Sequence, residues 1–573
     1  MLLCIGEELN EEKSKLEAHL ISFFSEKVYI DQDMVGAVIL LLLLELLTVL
    51  VLFYIASVPL EWVLFLMWLE AIVVHNLYTR SQRTDITNIF PIWIIYLESI
   101  SSVYQNFTEL MSDLAQRSEY GPLTEACAEI HSMAKLGSSS YTGAIQEQAA
   151  KLRNRQFKLF LLRWAKAMEV GESIQEFVAR ERKKSMELFS IEYSSSVSRG
   201  VFIMEGINSA NFAIIFLTIA MLLMSLVQSI DLSTFIFFSA LIVVMINITG
   251  SEALYALLPY DPYTFQSQER INVRNVLLGA SVVFYFALII ILTFSYPVMD
   301  SFGIHPLSRK GLVVIVGSIF LVGGYIGVRD NDRVGEIEVL YESFTRDLAA
   351  TATALGRSIS VAVTYLVPND RKMVYSSFGV FAPYVLGLRK RLDLGIPSKQ
   401  AWKNLSIESR SVLIERFYQI FIDASFLGGD PSHIAEICST ALTQYSGLRE
   451  RRKLETAPLT IQSHIFVLTM LLILAFLQAI FAILTKLDTY YGNLQVFLPL
   501  DLVTAINDLD LYILILYFIL MATLSFNLGL VGGGDRLRWF IHAGMISVLF
   551  GVISLFLPSV IEAIFNPLIS GGL

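Results

Sequence analysis

The sequence predicts an all-α, polytopic helical membrane protein. It should have about nine transmembrane helices in two parallel repeats, each carrying a cytosolic helical-bundle domain. Three observations predict this. Apolar residues collect in runs of bilayer length, Lys and Arg collect in two polar stretches between those runs, and one numerical offset superposes the two stretches together with the runs that follow them.

The chain has 573 residues, of which 55% are hydrophobic and 16% charged. A soluble domain carries about 25% charge. A mean hydropathy of +0.60 arises from segments long enough to cross a bilayer, which takes roughly 20 helical residues. Nine such spans are read at 34–56, 60–78, 207–229, 232–250, 276–297, 311–328, 465–485, 511–530 and 540–565. The chain opens acidic, with Glu7, Glu8, Glu11 and Glu12, and its first apolar run starts only near Met34. A cleaved signal would need a basic start and an apolar core close behind it.

The spans divide the chain in order. An N-terminal cytosolic segment covers 1–33 and the first two spans cover 34–78. A first cytosolic helical domain covers 79–205, followed by spans three and four over 206–250 and a cytosolic loop over 251–275. Spans five and six cover 276–328, a second cytosolic helical domain covers 329–460, and the last three spans cover 461–573. The two polar stretches hold 15 and 17 of the 42 Lys+Arg residues. Arg80, Arg83, Arg329 and Arg333 stand at their starts, and Arg449, Arg451, Arg452 and Lys453 precede span seven. The positive-inside rule places both stretches, and with them the N-terminus, in the cytosol of a cell-membrane protein. Only Arg309, Lys310 and Lys486 are then left outside.

An offset of 258 residues relates the stretches: Gly121, Gly137 and Gly171 fall on Gly379, Gly395 and Gly429. The start of span three falls on the start of span seven. Each repeat therefore holds four spans and the repeats are parallel. Phe157, Phe160, Leu161, Trp164 and Met168 follow helical spacing, as do Leu413, Phe417, Ile420, Phe421 and Ala424. The glycines read as helix stops, where a left-handed residue closes the last turn. Gly171 and Gly429 are both expected at positive φ. Asp430-Pro431 reads as a cap with Pro at the first helical position. The structural turns thus comprise Gly137, Gly171, Gly395, Gly428, Gly429 and Asp430.

Catalytic chemistry is missing. No phosphate loop, HExxH or GxSxG occurs, and no two of the seven histidines lie within one helical turn. Cys4, Cys127 and Cys438 give neither a disulfide framework nor zinc spacing. No catalytic, cofactor or metal residue is assigned, and the chain is expected not to be an enzyme. Glu45 and Glu70 lie inside spans one and two; an intramembrane carboxylate is costly unless paired or wet. Asn208, Asn211 and Asn247 lie within spans, where helix–helix hydrogen bonds are the simplest role.

LLRWAKAMEVGESIQEF (161–177) and FIDASFLGGDPSHIAEI (421–437), each feeding a span, resemble the F-type platform proteins of type II secretion and type IV pilus machines. The resemblance is to the archaeal branch, which serves the archaellum and archaeal type IV pili, and it covers residues 90 to 565. Gly428-Gly429-Asp430 matches that family's Gly-Gly-Asp turn, whereas the first copy has Val170-Gly171-Glu172. The resemblance implies a non-enzymatic membrane platform. Its partners would be a cytosolic hexameric assembly ATPase, pilin-like or archaellin subunits and membrane lipids. No cofactor and no nucleic acid are implied, and a homo-oligomer is left open. Arg389, Lys390 and Arg391 are the candidate ATPase contact. A secondary transporter or another multi-pass scaffold is the alternative.

Overall fold

The computed structural model describes residues 86–104, 106–137, 140–152, 154–225, 232–259, 261–264, 306–491, 509, 512–513, 516–534 and 538–570. Spans one, two and five, and with them Glu45 and Glu70, lie outside the described residues. All described residues belong to one unit that begins at Asp85. They are almost all helical, with no strand among them.

The first polar stretch folds as α1 (Ile86–Ser101), α2 (Phe107–Leu114), α3 (Pro122–Lys135), α4 (Tyr141–Lys151) and α5 (Arg155–Val170). It continues into α6 (Ile174–Ser225), and α7 (Leu232–Leu257) follows. The second repeat begins in α8 (Pro306–Leu355). It continues through α9 (Ile359–Leu366), α10 (Arg371–Phe378), α11 (Ala382–Asp393), α12 (Ser398–Ser409) and α13 (Val412–Phe426) to α14 (Pro431–Tyr491). A π-helical turn (Leu520–Leu524), α15 (Ser525–Gly532) and α16 (Arg538–Ser570) complete the described chain.

Among the described residues, five helices are long and apolar enough to cross a membrane: 174–224, 238–257, 313–355, 431–485 and 538–557. They overlap the expected spans three, four, six, seven and nine. The expected span eight corresponds to a shorter apolar helix, 516–532, interrupted by the π-helical turn. The boundaries expected at 205, 328 and 460 all fall inside continuous helices. At about 1.5 Å per residue, the 52 residues of α6 and the 61 of α14 span about 78 and 92 Å. That is two to three times the hydrocarbon thickness of a bilayer.

The repeat is visible in the backbone. Gly121 (φ 52°, ψ −118°) and Gly379 (φ 45°, ψ −125°) share one rare conformation. Helices α3 to α6 match α11 to α14 in order. The copies differ before that point, because α2 alone stands where the second copy has both α9 and α10. Helices α6 and α14 lie side by side and parallel. Phe189 meets Tyr445 at 5.2 Å, Asn208 donates to Ser463 at 2.8 Å, and Phe212 meets Phe466 at 5.7 Å. The sequence separation stays near 255 along the pair, which only parallel, in-register helices give.

The two polar stretches share one hydrophobic core, which runs from Phe90 to Leu448. The residues expected to face a core do so: Phe157, Phe160, Leu161 and Trp164 are buried, with Met168 packed at the edge. Leu413, Phe417, Ile420, Phe421 and Ala424 are buried as well. Helix α1 packs on α13 and α14 of the other copy as well as on α6. Arg117 bonds Asp423 across the copies at 2.5 Å. The apolar segments are joined by small residues. A Cβ on Gly324 of α8 would stand 2.3 Å from the backbone nitrogen of Ile541, and one on Gly544 of α16 would stand 2.5 Å from that of Leu321. Two backbones can approach this closely only where one of the facing positions has no side chain.

The helix stops need one correction. Gly171 takes φ 76°, and Glu172 N–H donates to Ala167 C=O at 2.9 Å, closing α5 in a Schellman turn. In the second copy the left-handed residue is Gly428 (φ 99°), with Gly429 N–H donating to Ala424 C=O at 3.1 Å. Gly429 itself is not at positive φ. The left-handed stop after α13 comes one residue early relative to the 258 offset, and Gly429 is small for a different reason. A Cβ there would lie 3.0 Å from Ala424 C=O and 2.7 Å from Ile434 Cδ1. Gly137 (φ 69°) and Gly395 (φ 76°) are left-handed in both copies. Asp430 accepts from Ser432 N–H at 3.2 Å, the cap expected ahead of Pro431.

Candidate functional site

Four basic residues of α14, Arg449, Arg451, Arg452 and Lys453, separate by their helical phase. Arg451 is exposed, but Arg449 and Arg452, one turn apart, point inward and are 4% exposed each. A buried guanidinium is stable only if its donors are all used. Arg449 uses them on two acids. Its Nε and Nη2 reach Asp261 at 3.0 and 2.6 Å, and its Nη1 reaches both Glu338 oxygens at 2.9 Å. Nη2 also donates to Pro262 C=O at 2.9 Å, and the guanidinium stacks 4.3 Å from the Tyr263 ring centre.

The junction extends outward from this residue. Ser411, the N-cap of α13, donates to Glu338 at 2.5 Å and accepts from Ile414 N–H at 3.1 Å. Val412 N–H donates to Tyr263 C=O at 3.1 Å, so the segment after α7 is stitched to the start of α13. Arg452 donates to Leu530 and Val531 C=O at 2.6 and 3.0 Å, and to Pro259 C=O at 3.1 Å. These carbonyls lie in the last turn of α15 and just past α7, where few intrahelical donors remain; that of Leu530 also accepts from Gly533 N–H at 3.2 Å. Lys453 pairs with Asp332, and Arg410 with Asp330, at 3.1 and 3.0 Å. Five elements, α7, α8, α13, α14 and α15, thus meet at one cluster of charge.

The two acids that share this arginine shift in opposite directions. Burial pushes the Asp261 carboxyl up, but Arg449, Arg452 and the Tyr193 hydroxyl together outweigh it and hold Asp261 below its usual 3.8. For Glu338 burial wins over Arg449 and Ser411, and its carboxyl is raised. The asymmetry follows from the partners: Asp261 has a second arginine, Arg452, and the Tyr193 hydroxyl, whereas Glu338 has Arg449 and Ser411 and faces the like charge of Asp261.

In the apolar half, Asn208 bonds Ser463, and Asn211 and Asn247 bond each other at 2.9 Å. These are the expected helix–helix bonds. Cys127 and Cys438 are buried, and burial pushes the Cys127 thiol up to about 12. Among the described residues no group of three or more His, Cys, Asp or Glu is placed to hold a metal.

The three basic residues 389–391 do not act alike. Arg389 bonds Val367 C=O and lies 3.5 Å from Asp393. Arg391 bonds Glu408. Both are partly buried and spend their charge internally, which leaves Lys390 as the exposed member. Sequence reading missed the Arg449 junction because Asp261 and Glu338 lie 188 and 111 residues from it. The basic run was a visible signal, but its helical phase alone does not say which member is buried.

No family model matches the chain, and no solved structure matches it. Two curated relatives do. Flagella accessory protein J of Methanocaldococcus jannaschii is 22% identical over 382 residues, and Flagella accessory protein J of Methanococcus voltae is 23% identical over 395. Each alignment covers 65% of this chain and 66% of the relative, so the chain spans just under two thirds of the curated relatives it matches.

Proposed function

We propose that this protein is a multi-pass platform in the cell membrane for assembly of an archaeal pilus-like filament, an archaellum or an adhesive pilus, of the type II secretion F kind. The observation that carries the reading is the match to two proteins called Flagella accessory protein J. The polar helices would face the cytosol together with the N-terminus. There they would receive a hexameric assembly ATPase, while the apolar helices would contact lipids and accept pilin-like or archaellin subunits. The chain itself would be non-enzymatic.

The geometry supports such a role mechanically. Helices α6, α8 and α14 run unbroken from the charged body into apolar sequence. A long helix is stiff along its axis, so displacement of the body at one end is delivered to the membrane segments at the other. Arg449 and Arg452 clamp the body to the ends of α7 and α15, so those helices move with it.

The test is a chromosomal deletion complemented by the wild-type gene and by Arg449→Met, with surface filaments counted by electron microscopy. Full-length protein is then recovered from membranes and probed for the ATPase. The reading requires loss of filaments in the deletion, rescue by wild type and co-recovery of the ATPase. Normal filaments in the deletion strain, or saturable solute uptake by vesicles of the purified protein, would overturn it.

A further inference from the structure

The two polar stretches are nearly neutral as wholes, with 15 acidic against 15 basic residues over 79–205 and 15 against 17 over 329–460. Their charge is nonetheless polarised, and in opposite senses. Residues 97–135 hold six acidic and two basic residues, net −4. The 258-offset counterpart, 355–393, holds two acidic and six basic, net +4. These segments occupy one place in the repeated unit. Each contains a 3₁₀ turn beside the paired glycines Gly121 and Gly379, then α3 or α11, then a left-handed stop at Gly137 or Gly395.

Burial does not cancel the contrast. Glu98 is spent on Arg182, and Arg389 and Arg391 are spent internally. Glu109 on α2 and Glu125 and Glu129 on α3 are exposed; the last two are four residues apart and share a helix face. In the second copy Arg371 and Lys372 on α10 and Lys390 on α11 are exposed.

We propose that the protein self-associates through these surfaces, the acidic face of α2–α3 in one protomer seating on the basic face of α10–α11 in a second copy. A foreign acidic partner would satisfy the basic face and leave the acidic one without a counterpart. One contact between copies satisfies both. A duplicated unit that kept one sign at both places would repel itself there, and opposite signs remove that repulsion. Each protomer offers one face of each kind, so the contact can close into a dimer or a ring.

The experiment uses the full-length protein in non-ionic detergent, with mass measured by light scattering. Three chains are compared: wild type, Glu109→Lys/Glu125→Lys/Glu129→Lys, and Arg371→Glu/Lys372→Glu/Lys390→Glu. Wild type should associate at about 0.01 M salt, where the Debye length is about 30 Å, and come apart near 1 M, where it is about 3 Å. Each reversed chain should associate at least about tenfold more weakly, because like charges now face each other. An equimolar mixture of the two reversed chains should recover association, since one then carries two basic faces and the other two acidic faces. Circular dichroism checks that both remain folded; if a triple reversal unfolds, the single changes Glu125→Lys and Lys390→Glu are read in the same way. A wild type that stays monomeric at low salt, reversed chains that associate as wild type does, or a mixture that fails to associate would each overturn the proposal.

Discussion

Replacing Arg449 by Met tests the charge junction most directly. The change keeps a long side chain but removes every donor. Glu338, 2% exposed, would be left with Ser411 alone, and Asp261 would lose its shortest partner. Removing one member of a buried ion pair costs about 3–5 kcal/mol, because the remaining charge stays out of water. At about 2 °C per kcal/mol for a large domain, the apparent melting temperature in detergent should fall by about 6–10 °C. Arg449→Lys should lose about half as much, since an ammonium cannot reach both carboxylates as the planar fork does. Glu338→Gln should cost about 1 kcal/mol, because Asp261 still balances the arginine and burial already disfavours the Glu338 charge. The decisive measurement is the double variant Arg449→Met/Glu338→Gln. It should be more stable than Arg449→Met alone by about 1–3 kcal/mol, because it neutralises the stranded acid. A double variant no better than the single one would show that the cost does not come from an uncompensated carboxylate.

Asp261 carries a pH signature. Its folded pKa lies below 3.8, so its contribution is fully present above that value and is lost as pH falls through the lower folded one. The stability gap between wild type and Asp261→Asn, followed by chemical denaturation, should stay constant down to pH 3.8 and close only below it. Gly324→Ala should force α8 from α16, since its Cβ would meet backbone at 2.3 Å. A loss of about 1–3 kcal/mol, read as a lower melting temperature, is expected, and a neutral result would contradict the close crossing. Gly428→Ala should cost about 1–2 kcal/mol for its left-handed φ of 99°, and Asn there should recover part of the loss. For the topology, a cysteine placed at Ser398 should react with an impermeant reagent only after the membrane is opened. Labelling of intact cells would reverse the proposed orientation.

Several features were legible because they are local. The apolar runs over 207–229, 311–328 and 465–485 are bilayer-length stretches of neighbouring residues. Nothing tertiary is needed to see that water rejects them. The helix stops at Gly137, Gly171 and Gly395 are likewise written within one turn of chain. The 258 offset is arithmetic, and the shared backbone of Gly121 and Gly379 follows from it. Gly429 was the local failure. Which of two adjacent glycines turns left-handed depends on where α13 runs out of packing, and that is settled against Ile434 and Val103 rather than by the dipeptide.

The sequence by itself determined that this chain is helical, duplicated and rich in bilayer-length apolar segments, because composition and periodicity act over a few residues. It did not determine that the two polar stretches share one core, since Arg117 meets Asp423 from 306 residues away. Nor did it separate Lys390, open to solvent, from Arg389 and Arg391, which the fold consumes. Only packing decided that Arg449 and Arg452 are buried while Arg451 is not. A charge is buried where acids and backbone carbonyls converge to meet it, and those partners, Pro259 with Asp261, Glu338 and Leu530, come from three separate parts of the chain.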